Sequence, residues 1–426
     1  MSFDALWNAL LPVGREPLTG GYRRYAWGTA DLECREWFLD AAAHRGLDVE
    51  SDGNGNLWAW WGDPSDGDAV VVGSHLDSVP DGGAFDGPLG VVSAFAAIDA
   101  ARERGLTPSR PIAVVAFSDE EGARFGVACT GSRLLTGVLD ADRARSLRDV
   151  DGTTMAEAMS AAGHDPSRVG PEADRLARVG CFVELHIEQG RARPVDLGAA
   201  QPRSNDPRGL VDLDAAVGIA SAIWPHGRWR FDFTGRADHA GTTQLEDRDD
   251  PMLGYAAAVL EAREAADRHG ALATFGKVRV EPNGVNAIPS RVTAWLDARG
   301  PDDERVRALV AELSGLTTRQ PGAMPPGALT SRDELAVSEE SWTAATEFDL
   351  LLRNRLVALL GDVPLLPTGA GHDAGILAAA GVSSAMLFVR NPTGISHSPA
   401  EHTERDDCLA GVDALARILE DLARPA

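Results

Sequence analysis

Cysteine is scarce in this 426-residue chain: Cys34, Cys129, Cys181 and Cys408 stand far apart and form no CxxC pair. That excludes a disulfide framework and a cysteine-based zinc site, and leaves the four as reduced core thiols. Positive charge is also short. Forty basic residues face 64 acidic ones, a formal charge of -24, and no long Lys/Arg run interrupts the balance. Nucleic acid and anionic membranes are therefore not expected as partners. An anionic substrate has to be held locally, by a few arginines or by metal ions, against the field of the whole protein. No apolar run approaches membrane-spanning length, the N-terminus carries Asp4 and no cationic leader, and no internal repeat or low-complexity tract is present. Together these absences make a cytoplasmic protein the expectation.

What is present is the composition of a globular protein, 44% hydrophobic and 24% charged, in a chain too long for one ordinary core. Two domains are expected. DAVVVGSHL, RPIAVVAFS and CFVELHI read as buried strands, and PLGVVSAFAAIDAARERG as a helix beginning just past Pro88. Strand, helix and strand in that order predict an α/β sheet with parallel members. Residues 193–216 read as a polar loop or linker. RWRFDFTG, a helix from Pro251 to His269, TFGKVRV, RVTAWLDAR and a helix after Pro301 then predict a compact βαββα unit, and buried strand and helix return near Thr346. The architecture expected is a discontinuous α/β domain, residues 1–215 and 336–426, with a smaller α+β domain, residues 216–335, inserted in its middle.

Polar residues gather at the ends of the buried strands, where open α/β sheets bind ligands. The first end carries His75, Asp77 and, through a glycine-rich loop, Asp86. The second carries Glu120 and Glu121 in SDEEG, the third His186, Glu188 and Gln189 in ELHIEQG, and the last His397 in NPTGISHSP. Singly, each has a plain structural use: Asp86 as a turn former, Glu120 and Glu121 at a helix start, His397 as a loop residue. Collected at one sheet edge, however, the carboxylates repel and desolvate one another unless paired. One or two divalent cations resolve that conflict, and mixed imidazole and carboxylate donors suit zinc, manganese, cobalt or nickel better than calcium or magnesium.

Seven strings in order, GSHLDSVPDGGAFDGPLGV, FSDEEGARFG, ELHIEQG, GRADHAGTT, GVNAIP, GAGHDA and GISHSPAE, resemble the M20-type metal amidohydrolases. Within them the chain is similar to the hydantoinase/carbamoylase branch of allantoate amidohydrolases and N-carbamoyl-L-amino-acid hydrolases, from about Gly20 to Glu401. The resemblance implies a two-zinc aminopeptidase-like catalytic domain interrupted by a smaller α+β lid and dimerisation domain, and a homodimer. It implies two divalent metal ions per subunit, zinc or manganese, with cobalt or nickel as alternatives. By motif, His75 and His186 would hold one ion, Asp86 would bridge to a second, and Glu121 and His397 would complete that one. Asp77 would hydrogen-bond the second nitrogen of His75. Glu120 would be the general base, taking a proton from water and returning it to the leaving nitrogen. His186 stands where related peptidases usually have an acidic residue, and its HIEQG context selects the carbamoylase-like branch.

The same resemblance makes His239 the group that stabilises the oxyanion, acting across the dimer, and makes Asn286 and Arg299 the pair that binds the substrate carboxylate. Gln189 would contact the ureido or amide group. The implied reaction is hydrolysis of a linear C–N amide bond in allantoate or an N-carbamoyl-L-amino acid, releasing ammonia and carbon dioxide. Deacylation or deformylation of N-acyl or N-formyl amino acids fits the same arrangement, and a dipeptidase is the nearest rival. A non-catalytic small-molecule binding protein on the same fold is the alternative from another class.

Overall fold

The computed structural model describes residues 2–192, 208–316, 334–361 and 363–424. Most of the expected linker, residues 193–207, lies outside them. Two compact units form: Met1–Ala222 with Glu347–Ala426, and Ile223–Thr346. Before the insertion come β1 (Asp48–Ser51), β2 (Leu57–Trp61), β3 (Ala69–His75), β4 (Ile112–Phe117), β5 (Val179–Ile187) and β6 (Val217–Ile223). The inserted unit carries β7 (His226–Thr234), β8 (Asp238–His239), β9 (Leu272–Glu281), β10 (Ala287–Ile288), β11 (Arg291–Arg299) and β12 (Glu334–Thr343). After it come β13 (Thr346–Glu347), β14 (Leu365–Thr368) and β15 (Ser383–Val389).

The larger unit is built on a nine-stranded sheet of order β1-β2-β4-β3-β5-β15-β6-β13, with β14 paired to β6. Its centre, β4-β3-β5-β15, is parallel throughout. Such strands are covered on both faces, which explains why Val70, Val71 and Val72 run together and are all fully buried. Gly73 continues that run at φ +149, where a Cβ would fall 1.9 Å from the carbonyl oxygen of Val115 on the neighbouring strand. Only glycine lets the two strands approach this closely. Helix Pro88–Glu103 has proline in its first turn and packs against the final helix, Arg405–Ala423. Among the described residues no helix is long and apolar enough to cross a membrane.

The inserted unit has its own antiparallel sheet, ordered β12-β7-β11-β9. Trp229, Phe231, Phe233, Val292, Ala294, Leu296 and Ala298 alternate onto one face and pack against the helices Pro251–His269 and Asp303–Ser314 through Ala258, Ala262, Val306 and Leu309. The two-residue pair β8–β10 continues the β7–β11 ladder beyond Thr234 and Arg291. Two expectations change here. The boundaries set at 216 and 335 fall at 223 and 346, because β6 pairs with β15 in the large sheet and β12 with β7 in the small one. The inserted unit is βαββαβ in its long elements: β12 is a fourth long strand that the βαββα pattern omits.

Candidate metal centre

The four parallel strands at the centre of the large sheet send their carboxyl ends to one edge, and each delivers polar side chains there. His75 is the last residue of β3 and is fully buried. Its Nδ1 donates to the backbone carbonyl of Asp77 at 3.2 Å. His186, near the end of β5 and also fully buried, donates from Nδ1 to the carbonyl of Ile187 at 2.8 Å. A carbonyl oxygen only accepts, so each Nδ1 carries a proton and Nε2 is the ring nitrogen turned toward the site, where its lone pair becomes a ligand once that nitrogen is deprotonated. These two Nε2 atoms lie 3.6 Å and 3.1 Å from the same oxygen, Oδ1 of Asp86. Asp86 is brought there by a loop that turns at Gly87, φ +83, where a Cβ would come within 2.4 Å of the His75 ring. The other oxygen of Asp86, Oδ2, lies 3.5 Å from His397 Nε2, which is 3.6 Å from Glu121 Oε2.

Three donor groups result, each with its ligand atoms within 4.8 Å of one another: His75, Asp86 and His186; Asp86, Glu121 and His397; and His75, Glu120 and Glu121. Asp86 belongs to the first two and faces each with a different oxygen. Among the described residues neither Nε2 of His75 and His186 nor Oε1 of Glu121 has a hydrogen-bond partner, although all three are buried. Orphaned buried atoms of this kind are costly unless something binds them.

The electrostatics point the same way. Burial, reinforced by Glu121, Asp373 and Asp77, drives the Glu120 carboxyl well above the usual carboxylate range despite His75. Burial and Asp86 do the same to Glu121. Burial opposes ionisation of Asp86 too, but His186 and His75 outweigh it and hold that carboxyl well below the usual range. His75 is the reverse case: burial lowers it, and Glu120, Asp77 and Asp86 raise it well above the ordinary imidazole value. No described Lys or Arg pairs with Asp86, Glu120 or Glu121. Carboxylates crowded with imidazoles, without a Lys or Arg partner among the described residues and with the Nε2 atoms aimed inward, are a donor set that fits divalent metal.

The model of the peptidase family M20/M25/M40 matches residues 71–421. The chain belongs to that family. This M20 chain is 36% identical to an N-carbamoyl-L-amino acid amidohydrolase of Geobacillus stearothermophilus, over 99% of its own length and 98% of the relative's. It is 32% identical to an allantoate amidohydrolase of Escherichia coli, covering 97% and 96% of the two chains. A hydantoinase/carbamoylase family amidase from Burkholderia vietnamiensis superposes with a TM-score of 0.84 at 29% identity, covering 100% of this chain and 98% of that one. The M20 chain is accordingly an amidohydrolase.

The surroundings of the donors widen the part expected of Asp77 at this M20 site. Its carboxylate stands beside His75, with Oδ1 3.5 Å from Nδ1, and its two oxygens also accept the backbone N–H groups of Glu120 and Glu121 at 3.1 Å and 3.0 Å. Asp77 therefore fixes the turn that presents both glutamates, and its backbone carbonyl orients the imidazole. Gln189 donates from Nε2 to Asp86 Oδ2 at 2.8 Å and to Ser396 Oγ at 3.2 Å, leaving its buried Oε1 without a described partner.

Sequence reasoning missed several supports. Cys129 donates its thiol to Glu120 Oε1 at 3.3 Å. Glu184 is buried under the site and accepts from Ser74 Oγ at 2.7 Å and from the Ala374 N–H at 2.9 Å. Glu401 accepts from the N–H groups of Phe85 and Asp86. No local spacing marks Glu184 and Glu401, because their partners lie far off in the chain.

Within the inserted unit His239 lies on β8 beside Asn286, whose carbonyl accepts the Ala240 N–H at 3.0 Å. The His239 Nδ1 accepts the Gly241 N–H at 3.0 Å, so its proton sits on Nε2. Arg299 ends β11 and is bound to Asp297 at 2.6 Å and 3.0 Å. Asn286 precedes the opposite end of the same strand, and nine extended residues span about 26 Å at roughly 3.3 Å per step. Asn286 and Arg299 of one subunit therefore do not form a common clamp for one small carboxylate, contrary to the pairing implied by their motifs.

Proposed function

We propose that this M20 chain is a binuclear metal-dependent amidohydrolase that cleaves a linear C–N amide bond of an N-carbamoyl-L-amino acid or of allantoate, releasing ammonia and carbon dioxide. The observation that carries the reading is the pair of donor sets sharing Asp86, with the orphaned Nε2 atoms of His75 and His186 aimed at one of its oxygens. His75 and His186 would hold one ion, Glu121 and His397 the other, and Asp86 is placed to serve both. Two divalent ions at these residues would supply Lewis-acid polarisation of the scissile carbonyl and activation of the attacking water.

The chain's own groups do the rest. Glu120 has one oxygen tied by the Cys129 thiol and the other facing His75 Nε2 at 3.8 Å, so a single oxygen is left to take a proton from water and pass it to the leaving nitrogen. Gln189 offers Oε1 as an acceptor for the amide N–H of the carbamoyl group. From the inserted unit, His239 offers an Nε2 proton to the developing oxyanion, and Arg299 offers a planar fork for the substrate's carboxylate. The span of β11 supports a homodimer, in which the His239 and Asn286 ribbon comes from one copy and Arg299 from the other. The exposed strand β9, at the edge of its sheet among the described residues, also supports a second copy of this chain as partner. Small-molecule carboxylates, not macromolecules, are the substrates of this reading. The similarity to an N-carbamoyl-L-amino acid amidohydrolase and an allantoate amidohydrolase supports the branch.

The test is ammonia and amine release from allantoate and from N-carbamoyl, N-formyl and N-acetyl amino acids and dipeptides, by protein stripped and then reloaded with zinc, manganese, cobalt or nickel. Metal-dependent ammonia release from a carbamoyl or ureido substrate is expected. Turnover confined to N-formyl, N-acetyl or dipeptide substrates would replace the branch, and silence with two ions bound would favour the binding-protein alternative.

A further inference from the structure

We infer that Glu401 is a positioning residue that locks the Asp86 loop and the His397 loop into one metal-binding frame; this rests on the two-ion reading above. Glu401 is only 5% exposed and lies between β15 and helix Arg405–Ala423. Its Oε1 accepts the backbone N–H groups of Phe85 at 3.0 Å and Asp86 at 3.1 Å. Its Oε2 lies 3.3 Å from Ser396 Oγ, which in turn reaches Asp86 Oδ2 at 3.1 Å. One carboxylate thus grips the backbone of the shared ligand with one oxygen and the residue immediately before His397 with the other.

Two further observations show that this tie is built into the fold. Gly83 packs directly on it: a Cβ there would fall 2.2 Å from Glu401 Oε1, so the glycine-rich loop wraps the carboxylate with bare backbone. Glu401 is also a buried acid with no ion pair among the described residues, a state that an apolar side chain would avoid at lower cost. Its hydrogen bonds all run toward the metal centre. Beside them, the segments carrying Asp86 and His397 are joined by the contact of Ser396 Oγ with Asp86 Oδ2, by Gln189 bridging those same two atoms and by the ring contact of Phe85 with His402, while the His397 side chain is half exposed. A residue that merely braced the start of the final helix would affect stability and leave ion affinity unchanged.

The experiment titrates zinc or manganese into chelator-stripped protein, with stoichiometry checked by elemental analysis and thermal unfolding of the metal-free protein followed in parallel. Glu401→Ala is expected to weaken the second ion at least tenfold and the first by less than threefold. Glu401→Gln, whose amide oxygen still accepts both N–H groups, is expected to stay within threefold of the parent for both ions. Ser396→Ala removes the arm toward His397, together with the Ser396 contacts to Asp86 and Gln189, and leaves the grip on the Phe85 and Asp86 backbone; it is expected to weaken the second ion about threefold and carries the test if Glu401→Ala does not fold. Unchanged second-ion affinity in the informative variant overturns the inference. So does a Glu401→Gln protein as weak as Glu401→Ala, since charge would then matter and not geometry. A parent protein that takes up no second ion overturns the two-ion reading itself.

Discussion

Glu120→Gln isolates the proposed base with little change of shape. The amide oxygen can still accept the Cys129 thiol at the position Oε1 holds now, 3.3 Å from Sγ, and the amide nitrogen takes the place of the oxygen facing His75. What disappears is the capacity to carry a proton. General acid–base assistance contributes about 10²- to 10⁴-fold, so kcat should fall by that factor, equivalent to roughly 2.7–5.5 kcal/mol of barrier. Stability of the metal-free protein should move the other way. The Glu120 carboxyl is raised by burial and by Glu121, Asp373 and Asp77, so the folded state holds its proton more tightly than the unfolded chain does. That difference costs nothing below the ordinary value of 4.5 and destabilises the fold as pH rises above it. Glutamine removes the cost. The urea midpoint of metal-free Glu120→Gln should exceed the parent's at pH 8 and converge with it near pH 5. Turnover is measured as ammonia release with both proteins reloaded to equal metal content. A rate within tenfold of the parent would remove Glu120 from the base role, and a midpoint below the parent's at pH 8 would refute the electrostatic account.

Gly73→Ala should cost about 3 kcal/mol or more, because its methyl group would collide with the Val115 carbonyl across β3 and β4; a urea midpoint within error of the parent would contradict this. Asp77→Ala leaves the buried N–H of Glu120 and the neighbouring N–H of Glu121 without their acceptor, so loss of ions and of folding stability is expected, with Asp77→Asn less affected. Equal ion content in the alanine variant and the parent would show that the turn holds without the carboxylate. Arg299→Ala should raise KM about 10- to 100-fold for carboxylate-bearing substrates, the range of a lost charge-assisted hydrogen bond. An equal rise for an uncharged amide would refute the clamp.

The parts of the fold that could be read in advance are those where burial is two-sided. Val70–Val72 and the run at Ile112 are continuous apolar stretches, and CFVELHI is broken only by the buried Glu184 and His186, because both faces of the central parallel strands are covered, and their polar ends marked one sheet edge. β12 escaped notice because it is exposed over much of its length and rich in Glu and Ser, so it lacks the clean alternation of its partner β7. The opposite placement of Asn286 and Arg299 follows from the strand between them, yet a match of short strings treats both as neighbours. Glu401 shows the limit of local reading: its bonds cross 315 and 316 positions of chain, and no spacing rule reaches that far.

β15 is the last strand of the large sheet to be synthesised, yet it stands in the interior, parallel to β5 on one side and antiparallel to β6 on the other. Until residues 383–389 arrive, β5 and β6 face an open gap, and His397 follows later still. A nascent chain can complete its inserted unit while the crowded acids of the other unit are still exposed to water. The metal centre therefore closes only after residue 397 has been synthesised. A chain stopped before His397 would keep His75, Asp86, Glu121 and His186 but lack one ligand of the second donor set, so truncation ahead of that residue should yield a protein that is metal-deficient as well as short.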